Sequence, residues 1–228
     1  IFPSKPLSNS EISVPGDKSL CHRLLLASLL KPMKYSFDSG LVGADIHSSM
    51  SCVKTLGVEA SYDNGSFFVD SSNGSVMNSN QKLDCGNSGT TIRLITGILA
   101  SSSNRFTLSG DASLSKRPMR RVLEPLAQFG LKVNYLENDG LAPYEVCGPI
   151  TGDISYKSKI SSAQVKSCML LSGMLSGSKV EYYEPAVSRQ HTENLLAFLG
   201  ADIEYGKGKV RLNGGKALDR SFPNKFKV

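Results

Sequence analysis

From Leu20 the chain carries apolar residues at helical spacing, "LCHRLLLASLL", and at Lys34 the pattern changes to the alternation of a strand, "KYSFDS". Such switches recur. The stretches "LGVEASYDNGSFFVD" (Leu56 to Asp70), "FGLKVNYLENDGLAPYEVCG" (Phe129 to Gly148) and "LGADIEYGKGKVRLNG" (Leu199 to Gly214) share one plan. Each has an apolar residue and a glycine suited to a helix C-terminus, an alternating strand, a turn rich in Gly, Asn or Asp, and a second strand. Each predicts a helix running into a hairpin. The helix-ending glycines Gly57, Gly130 and Gly200 are 73 and 70 residues apart, so a unit of about 70 residues is repeated three times.

Reading back from each hairpin completes the unit. The first has a strand over Glu11 to Val14, a helix over Ser19 to Leu30, a strand over Lys34 to Ser39 and a helix over Ala44 to Leu56. The second has a strand near Lys82 to Cys85, a helix over Ser88 to Ala100 and a strand over Arg105 to Gly110. Its second helix is predicted over Pro118 to Phe129, with proline in the first turn where its missing N–H is harmless. The third has a strand over Gly152 to Tyr156, helices over Ala163 to Ser176 and His191 to Leu199, and a strand over Lys179 to Tyr183 between them. Three βαβαββ units predict one pseudo-threefold α/β domain, helices inside and sheets outside, with repeats at about 11–80, 81–150 and 151–214. Residues 1–10 carry Pro3 and Pro6 and fit no unit, while "LDRSFPNKFKV" stops on an alternating pattern with no partner. Both ends read as unfinished, which predicts a piece of something larger.

Composition narrows the function. A net charge of +6 and a pI near 9.0 point to an anionic partner, either a phosphorylated metabolite or nucleic acid. No apolar run reaches the length of a membrane span and the N-terminus lacks a signal-peptide layout, so a cytoplasmic protein is expected. Cys21, Cys52, Cys85, Cys147 and Cys168 are odd in number and contain no Cys-x-x-Cys, which fits reduced core residues better than disulfides. His22, His47 and His191 are too scattered to propose a metal. His22 and His47 read as helix-surface or capping residues, and His191 has the better claim to a site.

The first helices of the three units open with "PGDKS", "CGNSGTT" and "SSAQVK", each offering free backbone N–H groups and small polar side chains. Pseudo-symmetry brings the three starts to one end of the domain. Any one of them alone is an ordinary N-cap. Three together, with Lys18, Arg23, Arg93 and Lys166 nearby, read as an anion site. In "SLSKRPMRR", Lys116, Arg117, Arg120 and Arg121 crowd a helix N-terminus, where cations are unfavourable unless an anion offsets them; the alternative is a solvated basic face.

The motifs "PGDKS..HR", "GNSGTT.R", "GD.SL.KRPM", "SAQVKS" and "SR.HTE", in that order, closely resemble the 5-enolpyruvylshikimate-3-phosphate (EPSP) synthase family across essentially the whole chain. The resemblance implies half of the inside-out α/β enolpyruvyl transferase fold. The chain would be the N-terminal globular domain, with residues 1–10 and 215–228 adjoining a missing C-terminal domain. It implies transfer of the enolpyruvyl group of phosphoenolpyruvate to the 5-hydroxyl of shikimate 3-phosphate with release of phosphate, needing no metal or organic cofactor. The full-length protein is expected to be a monomer, and this half to be inactive alone because proton-transfer residues lie in the other half. Carried over by position, Lys18, Ser19 and Arg23 would hold shikimate 3-phosphate, with Lys18 also reaching phosphoenolpyruvate as the catalytic cation. Ser161, Ser162 and Gln164 would bind the 3-phosphate and the ring, and Ser188 and Arg189 the same phosphate. Asn87, Gly89, Thr90 and Arg117 would fall on the phosphoenolpyruvate side, and Gly89 would leave room for glyphosate.

This chain departs from the family pattern at Leu20-Cys21, at Gln190 and at Ala163, and none of these removes a charged ligand. The related UDP-N-acetylglucosamine enolpyruvyl transferases are a weaker match, because "SLSKRPM" lacks their reactive loop cysteine. A basic repeat domain binding nucleic acid would need stacking aromatics, yet aromatics make up 7% of the chain and there is no Trp.

Overall fold

The computed structural model describes residues 16–228 apart from positions 41, 76 and 79. The expected strand over Glu11 to Val14 lies outside the described residues. In the first unit, α1 (Lys18–Ala27), β1 (Lys34–Asp38) and α2 (Ala44–Thr55) lead to the hairpin of β2 (Glu59–Asp63) and β3 (Ser66–Asp70). The second runs β4 (Gln81–Asp84), α3 (Gly89–Leu99), β5 (Arg105–Ser109), α4 (Arg120–Ala127), β6 (Lys132–Tyr135) and β7 (Tyr144–Cys147). The third runs β8 (Ile154–Lys157), α5 (Ala163–Ser176), β9 (Lys179–Tyr183), α6 (His191–Phe198), β10 (Asp202–Gly206) and β11 (Lys209–Asn213), and β12 (Lys225–Lys227) follows it.

Each unit builds one four-stranded sheet whose third-position hairpin strand is central: β12-β1-β3-β2, β4-β5-β7-β6 and β8-β9-β11-β10. Alternation sends equivalent residues inward from each: Tyr35 and Phe37 from β1, Phe106 and Leu108 from β5, Val180 and Tyr182 from β9, all buried. The helices fill the space between the sheets. Every residue of α3 except Thr90 is buried, and so is α5 from Val165 to Met174; most of these residues are apolar, as a helix enclosed on all sides requires, and the polar ones such as Arg93 and Lys166 are hydrogen-bonded. At their crossing a Cβ on Gly97 would stand 2.3 Å from the Cys168 carbonyl oxygen, so only glycine lets α3 and α5 pack this closely. The helix-ending Gly57, Gly130 and Gly200 all have positive φ, the left-handed conformation their place in the pattern predicts.

Two expectations need correction. The last segment does have a partner: β12 lies parallel to β1, with Ser36 opposite Lys225 and Asp38 opposite Lys227. It fills the place that β4 takes beside β5 and β8 beside β9. Phe222 and Phe226 drive the pairing by packing on Tyr35 and Phe37, with ring centroids 4.8 Å apart for Phe222 and Tyr35 and 5.9 Å for Phe226 and Phe37. The second correction concerns Pro118, which precedes α4 instead of starting it. Proline forces Arg117 into an extended conformation, Met119 becomes the N-cap, and Pro125 is the proline inside the helix.

Candidate functional site

The first helices of the three units begin with side-chain caps. Asp17 Oδ1 accepts from Leu20 N–H at 2.8 Å, Ser88 Oγ from Thr91 N–H at 3.2 Å, and Ser162 Oγ from Val165 N–H at 3.4 Å. Capping and ligand binding are compatible in Ser162, because an oxygen that accepts from the backbone keeps its own hydrogen free to donate. The other first-turn N–H groups of these helices have no intrahelical acceptor.

The helix starts surround a cavity of about 500 Å³ lined by Ser19, Arg23, Thr90, Ser161, Ser162, Ala163, Gln164, Ser188, Arg189 and His191. Arg23 supplies its charge from beneath. The residue is 5% exposed, and its guanidinium donates to Thr192 Oγ1 (2.7 Å), Ser167 Oγ (2.9 Å) and the Ser19 carbonyl (2.9 Å). Among the described residues no carboxylate is in ion-pair contact with it. Burial brings the Arg23 pKa down to about 10, so it remains a cation at neutral pH. Arg93, also buried, donates to Gln164 Oε1 (2.9 Å) and to the Gly89 and Pro118 carbonyls; burial lowers its pKa too. Gln164 passes this order on by donating to Thr90 Oγ1 at 3.2 Å. Arg189 reaches Ser19 Oγ at 3.4 Å from the far segment. Among the described residues, Arg23, which lines the cavity, and Arg93, held beside it through Gln164, have only neutral oxygens as hydrogen-bond partners, an arrangement suited to an anion.

Three of the expected residues stand apart from this cavity in an adjacent group. Arg117 bonds Asn87 Oδ1 and Ser113 Oγ, Asn87 donates to Asp111 Oδ2 at 2.7 Å, and a Cβ on Gly89 would lie 3.2 Å from Arg117 Nη1. Thr90, expected with them, lines the main cavity instead, because the first turn of α3 rotates it toward Gln164. Lys18, outside the cavity lining, pairs with Asp45 from α2 and remains two-thirds exposed. Burial works to raise the Asp45 carboxyl, but Lys18 and His22 outweigh it and hold it below its usual range.

Three other readings change. Lys166, expected among the site cations, is buried and spent on Glu184 and Glu193, each 2.7 Å away. His22 is no surface residue. It is fully buried, its Nδ1 lies 2.7 Å from Ser49 Oγ and its Nε2 3.4 Å from Asp45, and burial pushes its pKa down to about 4. Arg120 of the basic run is taken up by Asp139 and Glu124 and covers the Tyr135 ring. His191, the histidine with the better claim to a site, does line the cavity. A larger hollow of about 710 Å³ lies along the first sheet, but its one lining lysine, Lys34, is paired with Asp70 at 2.8 Å.

Residues 3–223 match the family model described as EPSP synthase (3-phosphoshikimate 1-carboxyvinyltransferase). The chain belongs to that family. It is 39% identical over 223 residues to the 3-phosphoshikimate 1-carboxyvinyltransferase of Geotalea daltonii, covering 96% of this chain and 52% of the relative. It is 41% identical over 197 residues to that of Gloeothece citriformis, covering 85% and 44%. The solved structure of EPSP synthase from Acinetobacter baumannii superposes with a TM-score of 0.85 at 30% identity, over 96% of this chain and 49% of that one. The chain spans about half the length of the curated relatives it matches. Its fold is accordingly half of the enolpyruvyl transferase fold, and membership of the EPSP synthase family is favoured over the UDP-N-acetylglucosamine transferases or a nucleic-acid-binding repeat. Among the described residues no helix is long and apolar enough to cross a membrane.

Proposed function

We propose that this chain is the shikimate 3-phosphate half of a cytoplasmic enzyme that transfers the enolpyruvyl group of phosphoenolpyruvate to the 5-hydroxyl of that substrate. The observation that carries this reading is the buried Arg23, a cation with neutral partners facing a cavity of serines. The 3-phosphate takes hydrogens from Ser161, Ser162 and the free first-turn N–H groups of α5, with charge from Arg23 and Arg189. Ser188 adds a further contact to that phosphate, and Gln164 and Ser19 lie against the ring. Lys18, with Asp45 as its resting counter-ion, would reach phosphoenolpyruvate, which would lie at Asn87, Gly89 and Arg117. Bringing two polyanions together is the main barrier, and fixed cations and N–H dipoles lower it without reorganising during the reaction. The other half of the protein supplies the remaining groups, and the complete enzyme is expected to be sensitive to glyphosate.

Calorimetric titration of the chain with shikimate 3-phosphate, with shikimate and UDP-N-acetylglucosamine as controls, tests the reading. Saturable binding that requires the phosphate is expected, and Ser162→Ala should weaken it about tenfold or more through one lost charge-assisted donor worth about 1.5–3 kcal/mol. Equal heats with shikimate would remove the phosphate site.

Gly89 gives a second test, in the full-length enzyme. A methyl group there would meet Arg93 Nη1 at 2.9 Å and Arg117 Nη1 at 3.2 Å, so both guanidinium groups must retreat. Gly89→Ala is expected to weaken phosphoenolpyruvate about tenfold, the worth of one charge-assisted hydrogen bond, with a smaller change for shikimate 3-phosphate. Equal loss of both ligands would place Gly89 elsewhere in the site.

A further inference from the structure

His22, in α1, is fully buried and is not among the residues that line the cavity. Its two ring nitrogens face different partners. Nδ1 lies 2.7 Å from Ser49 Oγ of α2, and Ser49 Oγ lies 2.7 Å from Thr91 Oγ1 in the first turn of α3. Nε2 lies 3.4 Å from Asp45 Oδ2 and has no hydrogen-bond partner among the described residues. The same Asp45 oxygen pairs with Lys18. An unpartnered buried nitrogen and an exposed ammonium thus converge on one carboxylate oxygen, in a side chain that is 17% exposed.

Burial, aided by the charges of Lys18 and Arg23, outweighs the pull of Asp45 and keeps the ring neutral at neutral pH. A neutral imidazole carries one hydrogen. Asp45 is a carboxylate with acceptors only, so the hydrogen belongs on Nε2, and Nδ1 accepts from Ser49. Such a ring orients Asp45 without neutralising it, whereas a cation there would compete with Lys18 for the carboxylate. At 3.4 Å the resting contact is longer than a full hydrogen bond, while Lys18 holds the oxygen. When an anion draws the ammonium away, the carboxylate is left half-shielded from water and short of a donor, which is costly. We propose that His22 is a positioning residue for Lys18: its Nε2–H takes over Asp45 Oδ2 as the ammonium leaves, so that the cation reaches an anionic ligand without stranding its counter-ion. In so far as that ligand is phosphoenolpyruvate, the inference rests on the proposed function.

In the full-length enzyme His22→Leu removes the donor and keeps an apolar side chain in the buried place. It is expected to raise KM for phosphoenolpyruvate about tenfold or more, the worth of one charge-assisted hydrogen bond, and to leave KM for shikimate 3-phosphate within about twofold. His22→Gln offers an amide N–H in place of Nε2–H and should hold the rise in KM for phosphoenolpyruvate to within about threefold. In Asp45→Asn no carboxylate is left to strand, so adding His22→Leu should change that KM by less than about twofold. The tautomer is read separately, by heteronuclear NMR of the histidine-labelled chain. His22 should carry its hydrogen on Nε2, and its ring signals should move in Asp45→Asn.

Equal rises in both KM values, or His22→Gln as impaired as His22→Leu, would make His22 a packing residue and overturn the proposal. A His22→Leu effect that keeps its full size in Asp45→Asn would show that it does not act through that carboxylate, and overturn it equally. Hydrogen on Nδ1 overturns it whatever the ligands do, and that measurement needs no His22 variant to fold. An enzyme that takes no phosphoenolpyruvate, with the hydrogen on Nε2 and its signals responsive to Asp45→Asn, removes the proposed substrate and leaves the His22–Asp45 assignment standing.

Discussion

Replacing Lys166 by methionine is expected to destabilise the chain by about 3–5 kcal/mol at pH 7, read from urea unfolding. Methionine matches the volume, so packing contributes little. What changes is charge: Lys166 Nζ is 2.7 Å from Glu184 Oε1 and 2.7 Å from Glu193 Oε1, and all three side chains are 1–2% exposed. Without the ammonium two carboxylates remain buried together. The sign with pH follows. Burial already holds the Glu193 carboxyl above its usual range despite Lys166, and loss of the cation raises it further and removes a main cause that holds Glu184 below its own usual range, leaving burial to raise that carboxyl too. A carboxyl whose folded pKa exceeds its unfolded value of about 4.3 gives stability that is fully present below that value and lost as pH rises through the folded pKa. The deficit of Lys166→Met should therefore shrink as pH falls from 7 toward about 4.3. A deficit below about 1 kcal/mol, or one of equal size at both ends of that window, would mean the cluster is not held by its charge.

This cluster also marks where the sequence stops being readable. The bounds of α5 follow from local chemistry, Ser162 before it as N-cap and Gly177 after it in the left-handed conformation. The three hairpins are equally local, since their alternation and turn residues lie within fifteen to twenty positions. The pairing of β12 with β1 is different. Ser36 and Lys225 are far apart in sequence, and an alternating pattern shows that a strand exists without showing which edge it will join. Pro118 misled for a narrower reason: proline suits both a first helical position and an extended segment, and the Met119 N–H bond to the Gly140 carbonyl, at 2.8 Å, tips it to the latter.

In the site, residue types were legible and their states were not. Ser19, Ser161, Ser162 and Gln164 sit in short motifs at helix starts, and the cavity collects them as pseudo-symmetry requires. Lys166 and Arg23, by contrast, look alike in sequence, each a cation in the second turn of the first helix of a unit. Their partners decide between them, and those come from elsewhere: Glu184 and Glu193 for Lys166, Ser167 and Thr192 for Arg23. No local pattern states whether a buried cation will meet a carboxylate or a hydroxyl.

That difference sets the outcome expected for Arg23, whose replacement by methionine should cost binding and spare stability. Three of the five guanidinium N–H groups are used on Thr192, Ser167 and the Ser19 carbonyl, leaving two for a ligand. Loss of two charge-assisted hydrogen bonds at about 1.5–3 kcal/mol each should weaken shikimate 3-phosphate more than about a hundredfold in calorimetry. Arg23→Lys keeps the charge but cannot span three protein acceptors and a phosphate from one ammonium, so it should recover only part of the loss. Stability is expected to move by no more than about 1–2 kcal/mol in urea, because removing a buried cation that lacks a carboxylate also removes its desolvation cost. Ser167 and Thr192 keep their mutual bond at 2.6 Å in its absence. Lys166→Met should show the reverse pattern, with a large stability loss and a smaller effect on the ligand. If Arg23→Met unfolded the chain as readily as Lys166→Met while leaving the affinity intact, Arg23 would be a structural cation and the anion site would have to lie elsewhere.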